Sequence, residues 1–191
     1  ETTAAMAVVA HQVRTAVSLP VGVNVLRNDG LSALGIAAAA GLSFLRVNVL
    51  AGTVATDQGL VHGEAHELLR RRAALRASVE ILADVDVKHA TALDTRPVVA
   101  RARDLAERGG ADAVLVTGEA TGHSVDLETL SAVSDAVAPV PVLAASGTHA
   151  GNVADTVRRC AGAIVGTSIK DPHTGRIDRD RAAEYSEAAR V

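Results

Sequence analysis

Six short runs rich in Val, Ile and Leu alternate along the chain with longer segments rich in Ala, Leu, Arg and Glu. This alternation predicts a parallel α/β fold, because each strand of a parallel sheet needs a crossover, usually a helix, before the next strand. The pattern predicts strands over residues 21–27, 44–50, 80–89, 112–117, 140–146 and 162–167. It predicts helices over residues 3–17, 31–40, 64–78, 95–108, 127–137, 151–159 and 179–190.

Polar residues at alternating positions distinguish the two ways in which such a sheet can be built. In "ADVDVKHA" (83–90), Asp84, Asp86 and Lys88 would share one face of a strand. Two other strands carry polar residues in the same way, namely Asn24, Arg46 and Asn48. Strands of an open doubly wound sheet are apolar on both faces, whereas the interior of a (β/α)8 barrel opens onto a polar mouth. The sequence therefore predicts a (β/α)8 barrel of the TIM type, although an incomplete one with about six β/α units.

Composition excludes several classes of protein. The 191 residues fit a single domain over 1–191, the net charge is −3, and the pI near 6.2 gives no basic surface for nucleic acid. The lone Cys160 excludes an intramolecular disulfide and a cysteine-based zinc site. Because no apolar run approaches the roughly 20 residues of a membrane span and no leader pattern opens the chain, we expect a cytoplasmic protein that is not inserted in a membrane.

Six ordered sequence blocks resemble the BtpA family. They are "PVGVNVLRND" (20–29), "FLRVNVLAG" (44–52), "TDQG" (56–59), "ADVDVKHA" (83–90), "VLVTGEATG" (114–122) and "IVGTSIK" (164–170). The resemblance covers essentially the whole chain and implies a TIM barrel without the family's N-terminal first two strands, so that the six strands would be the third to the eighth. An incomplete barrel has two exposed sheet edges, and because such edges pair with other chains we expect a homo-oligomer.

Two carboxylates and an amine form the candidate catalytic group: Asp84, Asp86 and Lys88. A desolvated lysine can act as a base or form a Schiff base, so we assign the chemistry to Lys88, with the aspartates tuning it. Alternatively, the carboxylates could hold Mg²⁺, or the charges could be a paired layer that only fills the barrel interior. We assign no zinc site, because His62 and His66 lack the HExxH arrangement.

Glycine-containing segments follow the last two predicted strands. In phosphate-binding barrels, the loops after strands seven and eight supply backbone N–H donors to a phosphate. This predicts a phosphate site formed by Ser146, Gly147, Thr148, Gly166, Thr167 and Ser168, with Lys170 as a candidate charge partner. The alternative is that these are ordinary turn and N-cap residues, since Gly, Ser and Thr are common at βα junctions.

Further polar residues are candidates for contact with a ligand at the barrel mouth: Asn24, Arg46, Asn48, Asp57, Gln58, Thr117 and Glu119. Asp57 and Gln58 lie in "VATDQGLVHGEAH" (54–66), which we interpret as a loop that enters a helix. The family resemblance raises these two residues from N-cap candidates to ligand-contact candidates. For Thr117 and Glu119 the alternative is ordinary loop chemistry.

The leading functional hypothesis is an enzyme that binds a small phosphorylated ligand, such as a sugar or nucleoside phosphate, and performs acid/base or lyase-type chemistry. No cofactor is required by this hypothesis beyond the Mg²⁺ alternative. The family's name-giving role implies a second hypothesis, a non-catalytic factor for the biogenesis or stabilisation of a membrane complex such as photosystem I. An enzyme predicts a closed polar pocket, whereas an assembly factor associated with a membrane complex predicts an apolar patch on the outer helices.

Overall fold

The computed structural model describes residues 1–87, 90–118 and 125–191. Its strands are β1 Gly22–Val23, β2 Phe44–Val47, β3 Thr53–Thr56, β4 Gly59–His62, β5 Glu80–Asp84, β6 Ala90–Ala92, β7 Ala113–Val116, β8 Val142–Ala144 and β9 Gly162–Ala163. Its helices are α1 Thr2–Ala16, α2 Gly30–Ala40, α3 Ala65–Leu75, α4 Val98–Glu107, α5 Leu127–Val137, α6 Val153–Val157 and α7 Arg179–Ala188, and a 3₁₀ helix covers Thr167–Ile169.

Six strands form one curled parallel sheet in the order β1-β2-β5-β7-β8-β9. Every predicted strand contributes to this sheet, and helices alternate with its strands, so the predicted parallel α/β fold is confirmed. Within the described residues the strands at the two ends, β1 and β9, each pair on one side only. The sheet is therefore a half-barrel.

The strands bury apolar side chains on both faces of the sheet. Leu45, Ile81 and Val114 belong to the large core that the sheet shares with the helices. The residues that alternate with them form a second, smaller apolar cluster: Phe44, Leu82, Ala113, Leu115, Leu143, Ala145 and Ile164. Because successive side chains of a strand point to opposite faces, this smaller cluster marks the concave face of the sheet.

A second, antiparallel sheet of order β4-β3-β6 corrects the prediction for residues 54–66. We interpreted this segment as a loop, but it is a hairpin in which Thr56 pairs with Gly59 across a two-residue turn. Gly59 has φ +106°, a conformation that residues with a side chain rarely adopt. The turn lacks the Asn-Gly or Asp-Gly pair that marks most tight hairpins, and this is why the pattern was missed.

The fifth strand is also shorter than predicted. The pattern predicted a strand over 80–89, whereas β5 ends at Asp84. Its neighbours supply the reason, because the registered partners of β5 run only to Val47 on β2 and to Leu115 on β7. The N–H of Val85 still donates to the Leu115 carbonyl, but among the described residues the strand register does not continue past Asp84, so the alternation of Asp86 does not describe a strand face.

Candidate functional site

The concave face becomes polar at the carboxyl ends of β2 and β5. Arg46 follows Phe44 by two residues, and Asp84 follows Leu82 by two residues, so both charges lie on the face of the smaller apolar cluster. The Arg46 guanidinium donates to both oxygens of Asp84, from Nε at 2.9 Å and from Nη2 at 2.7 Å. The Asp84 side chain is only 1% exposed. This is a buried bidentate ion pair, as the alternative of a paired charge layer expects.

Two asparagines extend the Arg46–Asp84 pair into a network. Asn48 Nδ2 donates to Asp84 Oδ2 at 2.8 Å. Asn24 Nδ2 donates to the carbonyl of Arg46 at 2.9 Å and to Asn48 Oδ1 at 3.3 Å. Four of the predicted site residues, from three neighbouring strands or the loops that follow them, are therefore brought together by direct hydrogen bonds.

Asp86 belongs to a different arrangement from the one predicted. Its carboxylate faces Arg101 of α4, with Nη1–Oδ1 and Nη2–Oδ2 distances of 2.5 and 3.0 Å. Thr117, which follows β7, donates from Oγ1 to the Asp86 carbonyl at 2.9 Å. Asp84 and Asp86 are therefore each paired with an arginine from another element and do not form one strand face of two carboxylates. The other member of the predicted catalytic group, Lys88, lies outside the described residues, as does Glu119.

A cavity of about 350 Å³, which we name the polar cavity, opens beside this network. Its polar lining comes from the loop after β1 and from β2, β3, β5 and β7 or the loops after them: Arg27, Asn28, Arg46, Asn48, Thr56, Asp84, Asp86 and Thr117. Apolar side chains complete it, including Val54 and Val61 of the hairpin. Because the strands are parallel, these elements meet at the carboxyl edge of the sheet, where barrel enzymes have their active sites.

Asn28 holds the hairpin to the mouth of the half-barrel. Its side chain exchanges hydrogen bonds with the backbone of Val49 at 2.7 and 2.9 Å and donates to the carbonyl of His62 at 3.3 Å. Asn28 itself has φ +58°, a left-handed conformation in which Asn is enriched. Asn28 is not among the residues predicted from the sequence, although an asparagine directly after the strand predicted over 21–27 is a recognisable turn signal.

The two candidates of the hairpin turn lie at the rim. Asp57 pairs with Arg27 at 2.5 Å, and both side chains are largely exposed. Neither Asp57 nor Gln58 lines the polar cavity, whereas Arg27 does. The structure therefore places these two residues near the entrance rather than inside.

A second cavity of about 320 Å³ lies between the loops that follow β8 and β9, and we name it the loop cavity. It is lined by residues 145–149 and 164–168. All six residues of the predicted phosphate site are in its lining. Ala145 lines both cavities, so the loop cavity and the polar cavity adjoin.

Several hydroxyl groups of the loop cavity are already used within the protein. Ser168 Oγ donates to the Thr148 carbonyl at 2.8 Å, and Ser146 Oγ accepts from the Gly118 amide at 2.8 Å. Within the described residues, by contrast, the backbone N–H groups of Gly166, Thr167 and Ser168 have no hydrogen-bond acceptor. Side chains thus shape this cavity, while three consecutive N–H groups are available to an anion.

Long helices do not start at the loop cavity. The loop after β8 leads into α6, which has only five residues, and the loop after β9 leads into the three-residue 3₁₀ helix. Helix dipoles therefore add little to anion binding here, because the dipole of such short helices is small. Lys170 follows the 3₁₀ helix and is not in the lining of the loop cavity.

Metal binding finds little support in the part of the chain that is described. There, no group of three His, Cys, Asp or Glu side chains is placed to hold a metal ion. His62 lies in β4 and His66 in α3, so they do not share a helix face. The carboxylates of Asp84 and Asp86 both accept from arginines, which compete with Mg²⁺ for the same oxygens.

Several carboxyl groups with lowered pKa values lie outside both cavities. Arg96 lowers the pKa of Asp94 to about 2 through side-chain hydrogen bonds. Hydrogen bonds from Thr129 lower the pKa of Asp126 at the start of α5, and those from Thr174 lower the pKa of Asp171. These shifts report surface turns and caps rather than catalytic groups.

Sequence comparison identifies relatives over most of the chain. The model of the BtpA family matches residues 1–191. An uncharacterised protein of Thermococcus kodakarensis is 46% identical over 184 residues, which are 96% of this chain and 68% of that protein. The photosystem I biogenesis protein BtpA of Synechocystis is 46% identical over 166 residues, 87% of this chain and 58% of that protein. The chain thus spans roughly two thirds or less of these relatives.

Structure comparison bears on the fold alone. N-(5'-phosphoribosyl)anthranilate isomerase from Pyrococcus furiosus superposes with a TM-score of 0.64, covering 96% of this chain and 80% of the isomerase, at 15% sequence identity. The half-barrel is therefore TIM-barrel-like. Among the described residues, no helix has the length and apolarity to cross a membrane.

Proposed function

The chain belongs to the BtpA family, and we propose that it forms the ligand-binding part of a (β/α)8-barrel enzyme that acts on a small phosphorylated molecule. One observation carries the proposal: the loop cavity, with three backbone N–H groups that find no acceptor among the described residues, adjoins the polar cavity at the carboxyl edge of the sheet. A phosphate in the first cavity would leave the rest of the ligand in the second, beside Arg46, Asn48 and Asp84.

The size and chemistry of the two cavities favour a sugar phosphate or a nucleoside phosphate. Together they are large enough for a small ligand, and the polar cavity offers amide, hydroxyl and carboxylate groups to a polyhydroxylated molecule. The Pyrococcus isomerase, by its name, acts on a phosphoribosyl compound. We extend only the class of ligand, a phosphorylated sugar, to this chain.

The proposed reaction is acid/base or lyase-type chemistry with Lys88 as base or Schiff-base nucleophile. The assignment of Lys88 rests on the sequence, which has it four residues after Asp84. Arg46 fixes Asp84, so this carboxylate would orient the ligand or stabilise positive charge rather than bind a metal. Asp86, which also lines the polar cavity, would contact the same ligand.

Phosphate binding is tested by titration of the isotope-labelled chain with inorganic phosphate and with ribose 5-phosphate. We expect shifts of the amide resonances of Gly166, Thr167 and Ser168. Gly166→Glu should abolish them, because a carboxylate would then stand at the cavity. Gly35→Glu adds the same charge to α2, and a Cβ at either glycine meets no atom within 4 Å, so this control should bind as the unsubstituted chain does. Unchanged resonances in the unsubstituted chain would refute the proposal.

The role of Lys88 is tested by borohydride trapping with phosphorylated aldehydes and ketones. The chain has only two lysines, Lys88 and Lys170, so mass spectrometry can assign a reduced Schiff base to one of them. We expect modification at Lys88 and none in Lys88→Met or in Lys88→Arg, which retains the charge. Retained turnover in Lys88→Met would exclude this mechanism.

A second function is favoured by the surface of α1. This helix has no buried residue, and its exposed side chains include Val8, Val9 and Val13, with exposures of 59, 57 and 44%. Exposed apolar helices are typical of proteins that dock on other proteins or on membranes. Together with the name of the Synechocystis relative, this supports a non-catalytic factor in the biogenesis of a membrane complex.

The two functions predict opposite effects in full-length Synechocystis BtpA. A pure assembly factor would tolerate substitution of the position equivalent to Lys88 and would lose photosystem I accumulation when positions equivalent to Val9 and Val13 are changed to Glu. An enzyme would tolerate the changes at the positions equivalent to Val9 and Val13 and would lose its function when the position equivalent to Lys88 is substituted. The measurement is the amount of photosystem I in a strain that carries each variant as its only copy.

We also propose that the six parallel strands are the third to the eighth of a complete barrel. The single-sided pairing of β1 and β9 supports this arrangement, since closure of a barrel removes both edges. A crystal structure of the full-length Thermococcus relative should then show two further strands between the equivalents of β9 and β1. Direct pairing of those two strands would refute the arrangement.

A further inference from the structure

Tyr185 contacts a lining residue of the loop cavity although it is distant in sequence from both loops that form the cavity. It is on α7, it is only 9% exposed, and its hydroxyl donates to Thr148 Oγ1 at 3.0 Å. Thr148 is 6% exposed and lines the loop cavity. A buried phenol therefore contacts Thr148, a residue of the predicted phosphate site.

The hydrogen bond of Tyr185 belongs to a chain that ties three segments together. Thr148 Oγ1 in turn donates to the Ile164 carbonyl at 3.5 Å, and Ser168 Oγ donates to the Thr148 carbonyl at 2.8 Å. Thr148 is thus held by residues that follow β9 and by α7. Since its hydroxyl both accepts and donates within the protein, it serves the position of the loop rather than direct contact with a ligand.

Helix α7 is itself fixed against the second loop. It packs against the 3₁₀ helix Thr167–Ile169. The backbone N–H of Asp178 donates to the Ile169 carbonyl at 2.9 Å, and the Asp178 side chain caps α7 through the amides of Asp180 and Arg181. Tyr185 therefore belongs to a helix that is fixed to the 3₁₀ helix, of which Thr167 and Ser168 line the same cavity.

We propose that Tyr185 is a positioning residue for the anion site, which fixes Thr148 and thereby the spacing of the two loops that surround a bound phosphate. The inference rests on the proposed phosphate-binding function. Donors that are held in place before binding lose less conformational freedom on binding, so a fixed loop binds more tightly than a loose one. Tyr185 acts through Thr148 and does not itself touch the ligand.

The composition of the chain makes this inference directly observable. The protein contains one tyrosine and no tryptophan, so its tyrosine emission and its absorbance near the phenol band come from Tyr185 alone. These signals respond to the hydrogen bonding of the phenol. Titration with inorganic phosphate should change the Tyr185 signal with the same Kd as the amide resonances of Gly166 and Thr167.

Affinity measurements on hydroxyl-deletion variants test the positioning role. Tyr185→Phe should weaken phosphate binding about threefold to tenfold, the effect of one hydrogen bond, at a temperature where the variant is fully folded. Thr148→Val should weaken it similarly and abolish the emission change, whereas Thr148→Ser keeps the hydroxyl and should bind normally. The double variant Tyr185→Phe with Thr148→Val should bind phosphate no more weakly than Thr148→Val alone, because both substitutions remove the same hydrogen bond between Tyr185 and Thr148. Ser131→Ala removes a hydroxyl that donates to the Leu127 carbonyl and accepts from Arg159, outside the lining of both cavities, and serves as control.

Three results would overturn the inference. If the unsubstituted chain binds phosphate but Tyr185→Phe binds it equally well, Tyr185 does not position the site, and the proposed function stands. If the losses of Tyr185→Phe and Thr148→Val are additive, each acts separately and the link through Thr148 is wrong. If the unsubstituted chain binds neither inorganic phosphate nor ribose 5-phosphate, the proposed function fails and the inference fails with it.

Discussion

The buried pair of Arg46 and Asp84 is the residue-scale feature that decides how the polar cavity works. Removing one partner of a buried ion pair leaves an uncompensated charge and typically costs about 3–5 kcal/mol. We expect Asp84→Asn to lower the free energy of unfolding by roughly 3 kcal/mol, since Arg46 is 24% exposed and retains some water. Denaturant unfolding at neutral pH measures this loss. The matched control is Glu67→Gln, at an exposed pair with Arg70, which should melt as the unsubstituted protein does.

A double variant separates a functional pair from one that only fills the barrel interior. Replacing a buried ion pair by apolar residues of similar volume is often neutral or stabilising, so Arg46→Met with Asp84→Leu should regain the stability that Asp84→Asn loses. We expect this double variant to fold and to lose binding of ribose 5-phosphate. Isothermal titration provides the measurement, and unimpaired binding would mean that the pair only fills space.

At the scale of elements, the cap of α5 makes stability depend on pH. Hydrogen bonds from the Thr129 side chain and from the Thr129 amide, which donates to Asp126 at 2.8 Å, lower the pKa of the Asp126 carboxyl group. A carboxyl group whose pKa is lower in the folded than in the unfolded state stabilises the protein above its unfolded pKa, near 3.9, and loses this effect as the pH falls through the folded pKa.

Asp126→Ala should accordingly lower the Tm by a few degrees at pH 7 and by less below pH 4, where the carboxyl group of the unsubstituted protein becomes protonated. Asp126→Asn keeps a capping oxygen without the charge, so its Tm at pH 7 should lie between that of Asp126→Ala and that of the unsubstituted protein. Thermal melts across this pH range measure the difference. A difference in Tm that is independent of pH would mean that the carboxylate does not act as the cap.

The hairpin of β3 and β4 is the element that covers the polar cavity, and its turn depends on Gly59. With φ +106°, Gly59 adopts a conformation that costs other residues about 1–3 kcal/mol. No atom lies within 4 Å of a Cβ built at this glycine, so Gly59→Ala introduces backbone strain without a steric clash. We expect faster hydrogen exchange at Val54 and Val61, with little change at Leu45. Unchanged exchange in the hairpin would contradict this assignment.

For the whole molecule, the open sheet and the apolar surface of α1 predict self-association. The strands β1 and β9 leave sheet edges unpaired within the described residues, and α1 exposes Val9 and Val13. We expect sedimentation velocity to show a dimer or a larger species at micromolar concentration. Val9→Glu with Val13→Glu should shift it toward the monomer, whereas Val191→Glu, also at an exposed position, should not. A monomeric unsubstituted chain would refute the prediction.

Ligand binding should also be visible in the stability of the whole molecule. A ligand that binds only the folded state at one hundred times its Kd adds about 2.7 kcal/mol to the free energy of unfolding. For a chain of this size that corresponds to a rise in Tm of roughly 5–10 °C. Calorimetry with and without ribose 5-phosphate measures it, with sodium chloride at matched ionic strength as the control.

The sequence by itself determined the order of the helices and of the parallel strands, and the polar face at the ends of those strands. Periodicity is a local property, since neighbouring side chains either alternate or recur each turn whatever the rest of the chain does. For this reason the seven helices and the six parallel strands of the described residues were predicted, and Asn24, Arg46, Asn48 and Asp84, which hydrogen bonds join in the structure, were named together as polar residues of the strand ends. The grouping of two glycine-containing loops around one cavity followed from the parallel order of the strands.

Only the tertiary structure decided where each strand ends and which charges pair. Asp86 bonds to Arg101 because β5 loses its neighbours after Asp84, and strand pairing depends on register between segments far apart in sequence. The contact of Tyr185 with Thr148 spans 37 residues, and no local pattern encodes it. Local patterns specify which side chains face a site, but the distances that permit chemistry are set by packing between distant elements.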